Sequence, residues 1–504
     1  MLLNKQNIPE IKASGKILVS DISVFDLPEK VLQFGTGVLL RGLPDYFIDK
    51  ANRQGIFNGR IVVVKSTSKG DCKDFDDQDS LYTICIRGIQ DKKKVEENII
   101  CSSISRVLIA QTQWNEILEV AASENLQVII SNTTEVGIQL NEDDIHVFPP
   151  ISFPGKVLAV LHHRYKKFGG DRNKGLVIVP TELISDNGTQ LKEIVKTLAE
   201  QNHLDKEFIN WLLNCNHFCN TLVDRIVPGK PDHALTVVLE KELGYQDNLG
   251  IVSEVYKLWA IEGNEHVKNI LSFAIADAGV IITPDITTYK ELKLRLLNGT
   301  HSLTCAVAFL SGFATVREAV EDGSIADFNT SLMHEIAKAI PHPIAIEEAL
   351  AFSQQVLDRF RNPHIQHKWL SISLNYTLKL KMRVVPVLME YFEKVQSVPE
   401  NIAFGFAAYL LFMRSSENDG QYHGISEGTE YIINDEYAGY FSELWKNHPD
   451  KVVEKSLSNG TIWGENLTVL PGFTESVQHH LNVMQAEGMM QAIKKLKDKR
   501  ILEQ

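Results

Sequence analysis

In the first half of the chain, short apolar runs alternate with amphipathic stretches, whereas in the second half apolar residues recur mostly at helical spacing. Residues 30 to 34 read as a strand running into Gly35-Thr36-Gly37. A helix pattern over 39 to 53, closed by Gly55, leads to a second strand over 60 to 66. Further strands are predicted at 126 to 131, 175 to 179 and 217 to 223, with helices at 113 to 122, 189 to 201 and 207 to 214. This alternation predicts an α/β domain with one mostly parallel sheet. Its boundary falls near 230 to 250, giving domains of 1–240 and 241–504. Beyond it the spacing predicts helices at 252 to 259, 301 to 310, 315 to 321, 344 to 360, 387 to 395 and 403 to 413, hence a mainly α-helical C-terminal domain. The polar, glycine-containing stretch 415 to 430 reads as an exposed loop.

Composition narrows the function classes. The chain has 504 residues, 44% hydrophobic and 23% charged, as in an ordinary globular protein large enough for two or three cores. No apolar run approaches the ~20 residues of a membrane span, and no signal-peptide pattern opens the chain. A cytoplasmic location and no membrane partner are expected. The six cysteines form no disulfide framework. A net charge of −13 argues against nucleic acid as a partner and requires a local basic cluster for any anionic substrate.

Candidate chemistry begins at the first turn. A dinucleotide pyrophosphate must lie against bare backbone at a helix N-terminus, and Gly35 and Gly37 meet that need, with Arg41 behind them. Leu40 stands where the usual third glycine would be, and Gly42 follows. A carboxylate after the second strand usually holds the ribose of NAD; here the strand ends in Lys65, Ser66 and Thr67, with Asp71 further on, which leaves NAD and NADP both open. The loop opening at Asn132 offers Thr133, Thr134 and Glu135 to a nicotinamide ribose. Cys215, His217 and Cys219 have alternate spacing unlike a zinc site, so no metal is expected there.

Residues 286 to 297 read as a helix, with Leu292, Leu296 and Leu297 on one stripe and Asn298-Gly299 as its stop. Lys293, Asn298 and His301 are the groups that chemistry would use. On an unbroken α-helix Lys293 and His301 would stand roughly 12 Å apart along the axis, so their convergence is expected to require a backbone break near Gly299.

Together, the glycine pair, the Thr-Thr-Glu-Val-Gly loop at 133 to 137, Asn-Thr-Leu-Val-Asp-Arg-Ile-Val-Pro at 220 to 228 and Lys293-x₄-Asn298-x₂-His301 resemble the polyol-specific long-chain dehydrogenases, the mannitol dehydrogenase family. Leu296 to His301, Arg359 to Pro363 and Ile462 to Glu475 resemble its uronate-acting members. The resemblance implies a Rossmann-type dinucleotide-binding domain over 1–240 and a mainly helical substrate-binding and catalytic domain over 241–504. It implies NAD-linked, metal-independent interconversion of D-altronate and D-tagaturonate in hexuronate breakdown, by a monomer or small homo-oligomer. On the same resemblance Lys293 is the acid/base, Asn298 the oxyanion donor and His301 the substrate-orienting imidazole. Two positions depart from the family: Leu183 stands where mannitol-type members have a second oxyanion asparagine, leaving Asn187 as a substitute, and Lys290 replaces a proton-relaying glutamate, with Glu291 beside it.

Physical needs agree with that reading. A free lysine, with a pKa near ~10.4, is a poor base at neutral pH, so the site must disfavour an ammonium. A substrate carboxylate calls for an arginine, and Lys379, Lys381 and Arg383 concentrate basic charge near Pro386. Arg383 is the first choice for the grip, with Lys381 beside it. Another polyol or hexuronate reductase of the family, or a nucleotide-binding sensor without turnover, remains as an alternative.

Overall fold

The computed structural model describes all residues except 16, 68–70, 134–136 and 504, and no side chains over 499–503. It divides into two compact units, Met1–Arg87 with Lys94–Ile286, and Gly88–Lys93 with Thr287–Gln504.

The first unit is built on a six-stranded sheet: β1 Glu29–Phe34, β2 Arg60–Lys65, β3 Ile104–Ile109, β4 Val128–Ser131, β5 Val177–Pro180 and β6 His217–Phe218. Its order is 3-2-1-4-5-6 with every pairing parallel. Successive side chains of a strand point to opposite faces, and the core follows that rule. Val31, Ile61, Val63, Val128 and Ile130 enter one apolar cluster, and Leu32, Phe34, Val62, Val64 and Ile129 enter the other. Both faces are therefore covered, which is why all six residues of β2 are buried and why these strands read as continuous apolar runs. Because β1 lies between β2 and β4, the connections leave it in opposite directions and open a crevice at the carboxyl ends of β1 and β4.

Four expectations are corrected. The 39–53 helix is two helices, Val38–Gly42 and Pro44–Arg53, joined at Leu43 with φ −129° and ψ −78°; Pro44 keeps the residue before it out of the α region. The stretch 252 to 259 is not helical. Ile251–Glu254 pairs with the strand Tyr82–Gln90, and Leu258–Glu262 lies between Thr221–Asp224 and Val280–Thr283. These strands return the chain to the first unit, so the division falls at Ile286/Thr287 and not at 240/241. The 415–430 segment is a three-stranded antiparallel sheet, Ser415–Asn418, Gln421–Ser426 and Thr429–Ile432. Its turns are Asp419-Gly420 and Glu427-Gly428, all at positive φ, the two-residue loop that a hairpin favours.

The second unit is otherwise helical around Glu400–Phe412, which is apolar and buried on all sides. Half-buried Glu335 accepts the Asn401 and Ile402 N–H groups at that helix's start, each at 3.0 Å, and desolvation of its carboxyl pushes it up to about 7. Gly405 admits the neighbouring helix Thr300–Phe309 closely, since a Cβ there would stand 2.6 Å from Leu303. Among the described residues no helix is long and apolar enough to cross a membrane.

Gly42 performs the close packing usually given to a third glycine, because a Cβ on it would meet Val227 Cγ2 at 2.8 Å. Gly42→Ala is expected to cost about 1–3 kcal/mol by overpacking. Gly37→Ala, whose Cβ would meet nothing within 4 Å, should change stability by no more than about 0.5 kcal/mol. Denaturant unfolding of the two variants checks the difference, and equal losses would remove the packing role from Gly42.

Candidate active site

The helix that carries Lys293 does not break. Thr287–Leu292 is α-helical, Lys293–Gly299 is wound as a π-helix, and Thr300–Phe309 resumes the α-helix. Gly299 has φ −64° and ψ −46°, ordinary helical values, so the expected interruption is replaced by a wider turn. On an α-helix Lys293 and Asn298 would point about 140° apart. The i→i+5 repeat of a π turn returns residues five apart to one side, and His301 follows Asn298 at the three-residue spacing of α-helical neighbours. Lys293 and Asn298 are half-buried, while Leu296 and Leu297 are buried on the core side.

His301 stacks on Phe360, ring centroids 4.3 Å apart and planes at 19°, and meets His367 and Trp369 edge-on at 5.2 and 6.3 Å. Its Nε2 is buried with no hydrogen-bond partner. Burial, reinforced by His367, Arg359, Arg383 and Lys379, holds its pKa well below the ordinary histidine range. Burial and the charges of Arg359, Arg383 and Lys379 thus favour the neutral imidazole.

Arg383 ends the helix Tyr376–Arg383 and donates from Nη1 to Ser302 Oγ at 3.0 Å and to the Asn298 carbonyl at 3.4 Å. Burial lowers its pKa to about 10. Lys379, four residues earlier and so on the same helical side, donates to the Ile372 carbonyl at 2.8 Å, and burial followed by Arg383 lowers its pKa. Lys381, only two residues from Arg383, falls on another side and reaches the Thr461 carbonyl at 3.4 Å. The basic partner of Arg383 is thus Lys379, which corrects the expectation for Lys381. Arg359 lies in the stretch Arg359 to Pro363 that carries the family resemblance, whereas nothing in the sequence spacing marks His367. Glu291 is committed to Arg295, Oε2 to Nε at 2.8 Å.

At the carboxyl end of β1, Gly35 has φ 127°, and a Cβ there would stand 2.9 Å from Leu40 and 3.1 Å from the Asn132 carbonyl oxygen. Gly37 begins the helix Val38–Gly42 with open space at its Cα. This bare turn at the sheet's switch point fits a dinucleotide pyrophosphate. At the end of β4, Asn132 donates to Thr181, and the Thr133 N–H and hydroxyl both donate to Glu182 Oε1, at 2.8 and 3.0 Å. Ser131 donates to the other oxygen at 3.1 Å. Burial raises the pKa of Glu182, an anchor for this loop that no sequence spacing reveals. Thr134 and Glu135 lie outside the described residues.

Other expected contacts are engaged elsewhere. Arg41 is buried, donates to the Leu249 carbonyl and lies over the Tyr82 and Phe75 rings at 5.4 and 5.8 Å. Its guanidinium serves packing, a correction to its place among the cofactor contacts. Asp71 is exposed and accepts the Lys73 N–H at 3.2 Å, while Lys65 donates to the Thr67 carbonyl at 2.6 Å. Asn187 is fully buried: its amide donates to Pro180 O, Glu182 O and Thr221 Oγ1, and its oxygen accepts the Gly188 and Thr221 N–H groups. No donor is left for a substrate, so Asn187 does not replace the asparagine absent at Leu183. Among the described residues no group of three or more His, Cys, Asp or Glu could hold a metal ion.

The chain matches the family model of the mannitol dehydrogenase Rossmann domain over residues 29–274 and that of the mannitol dehydrogenase C-terminal domain over 285–485. It is 39% identical to altronate oxidoreductase of Halalkalibacterium halodurans over 480 residues, covering 93% of each chain. It is 38% identical to altronate oxidoreductase of Bacillus subtilis over 470 residues, covering 92% of this chain and 95% of the relative. Among solved structures, the Pseudomonas fluorescens mannitol 2-dehydrogenase ternary complex with NAD and D-mannitol matches at a TM-score of 0.65 and 21% identity, covering 99% of this chain and 100% of that one. D-sorbitol dehydrogenase in substrate-free form matches at 0.77 and 19%, covering 98% and 100%. These structural likenesses bear on the fold, and with the two family models and the long matches to curated relatives they lead to one conclusion: the chain belongs to the mannitol dehydrogenase family, oxidoreductases that act on CH–OH groups.

Proposed function

We propose that this protein interconverts D-tagaturonate and D-altronate with NAD(H), using Lys293 as the acid/base and no metal. The observation that carries the reading is the juxtaposition of a neutral, partly orphaned imidazole, His301, with the cations Arg383, Lys379 and Arg359, beside a π turn that presents Lys293 and Asn298. A sugar acid would bring a carboxylate to Arg383 and Lys379, whose charged forms burial disfavours; a neutral polyol would not. The relatives named for altronate support the same choice.

The bound dinucleotide supplies the hydride and accepts it in the reverse direction. Lys293 gives a proton to the substrate's carbonyl oxygen during reduction and recovers it during oxidation, so it must sit within hydrogen-bond reach of that oxygen. The Asn298 amide donates to the same oxygen as negative charge develops there, a contribution of roughly 3 kcal/mol for one well-aimed donor. His301, kept neutral, offers its unpartnered nitrogen to a substrate hydroxyl without adding charge. Arg383 holds the carboxylate, with Lys379 adding charge on the same side. Gly35, Gly37 and Thr133 support the dinucleotide.

NADH oxidation measured with tagaturonate, fructuronate and fructose in parallel tests the reading. Tagaturonate should give the highest kcat/KM, and a preference for fructuronate or fructose would assign another activity within the family. NADH is expected to outperform NADPH; comparable kcat/KM with the two would instead point to Lys65 and Ser66 as contacts to a 2′-phosphate.

Lys293→Ala should lower kcat roughly 10²–10⁴-fold while NADH binding, followed by its fluorescence, stays nearly unchanged. Full activity in that variant would take Lys293 out of the mechanism.

Arg383→Ala should weaken tagaturonate turnover by ~2–5 kcal/mol in kcat/KM, as removing one partner of a buried charged pair does, and affect fructose far less. Lys381→Ala is the control and should do little. Equal losses on both substrates would make Arg383 structural and place carboxylate recognition elsewhere.

A further inference from the structure

Arg295 lies within the π turn, two residues after Lys293, and is 6% exposed. Its Nε and Nη2 donate to the two Glu291 carboxylate oxygens at 2.8 and 3.4 Å. Its Nη1 donates to the main-chain carbonyls of Met382 at 2.6 Å and Arg383 at 3.0 Å. Those carbonyls end the helix Tyr376–Arg383 and would otherwise lack intrahelical partners. A cation at a helix C-terminus is also favoured by the helix dipole.

The contact is crossed. While Arg295 reaches from the π turn to the backbone of Arg383, the Arg383 side chain reaches back to Asn298 O and Ser302 Oγ. Each arginine holds the main chain or the adjoining side chain of the other's helix, and Glu291 fixes the Arg295 fork one turn before it. A lysine cannot reproduce this, because a single ammonium has no planar fork to meet a carboxylate and two carbonyls at once.

We propose that Arg295, oriented by Glu291, is a positioning residue that keeps the Lys293 turn and the Arg383 helix end in register. The inference rests on the hexuronate reading, in which Lys293 acts at the substrate's carbonyl and Arg383 at its carboxylate. The substrate's length then sets how far apart those two groups must stand, and the crossed arginines set how far apart they do stand. A displacement of one ångström at a remote support can slow chemistry on the order of 100-fold.

The test uses the full chain in four forms: wild type, Arg295→Lys, Arg383→Ala and the double variant. Tagaturonate kinetics and hydrogen exchange over 293–299 and 376–385 are measured on each. Arg295→Lys should lower kcat/KM roughly 10- to 100-fold, mainly through kcat, and speed exchange in both segments. In the Arg383→Ala background it should add little, because the register it maintains no longer has a grip to serve. Losses that multiply in the double variant would overturn the proposal, since independent sites add in free energy. Unchanged exchange in Arg295→Lys would overturn it as well. Should that variant fail to fold, Glu291→Gln carries the same comparison with a smaller loss. If the wild-type protein reduces no uronate, the functional reading fails, and the exchange measurement still decides whether Arg295 holds the two segments together.

Discussion

The wide turn over Lys293–Gly299 is the constraint on which the second unit's candidate site depends. A π-helix has poorer packing along its axis than an α-helix and occurs mostly as short insertions at functional sites. Here it is flanked by regular helix on both sides, so its winding must be held by tertiary contacts. Leu296 and Leu297 are buried on one side of it, and Arg295 is bonded to the end of the Tyr376–Arg383 helix on another. The following helix lies against Glu400–Phe412 closely enough that a Cβ on Gly405 would force Leu303 to shift. The reward of the wider turn is geometric: residues five and eight apart share a side without the chain being interrupted.

Charge is handled with the same economy of parts. In a chain of net charge −13, Arg359, Arg383 and Lys379 all influence one imidazole, His301. A protonated histidine there would add repulsion to a desolvated site, and both effects favour the neutral ring. The same cations have their own pKa values lowered by burial in the cases of Arg383 and Lys379. An anionic ligand would offset that cost, which is the physical basis of the proposed preference for a sugar acid.

In the first unit the dinucleotide-binding geometry comes from the sheet order. Gly35 can take its positive φ and accept Leu40 and the Asn132 carbonyl at close range because it has no side chain. Glu182, accepting from Ser131 and Thr133, ties the end of β4 to the loop after β5. Asn187 does a comparable task one step further on, closing five hydrogen bonds around the Pro180–Thr221 corner.

The sequence by itself determined five of the six strands of the main sheet, missing Ile104–Ile109, together with the glycine turn, fewer than half of the helices of the second unit and the identity of Lys293, Asn298, His301 and Arg383 as chemical groups. These are local matters: side-chain periodicity follows burial, and glycine, proline and charged residues act where they stand. Only the tertiary structure decided the rest. The strands Ile251–Glu254 and Leu258–Glu262 are too short for periodicity to separate them from helix, and their partners lie elsewhere in the chain. The Lys293 turn is wide because of contacts with distant residues, which a pattern based on 3.6 residues per turn cannot express. Whether Arg41, Asn187 and Lys381 face a ligand or the fold depends on acceptors that sequence distance conceals: Leu249 for the first, Pro180 and Thr221 for the second, Thr461 for the third. A side chain's chemistry is written in its residue type, but its availability is set by which polar groups the fold brings to it.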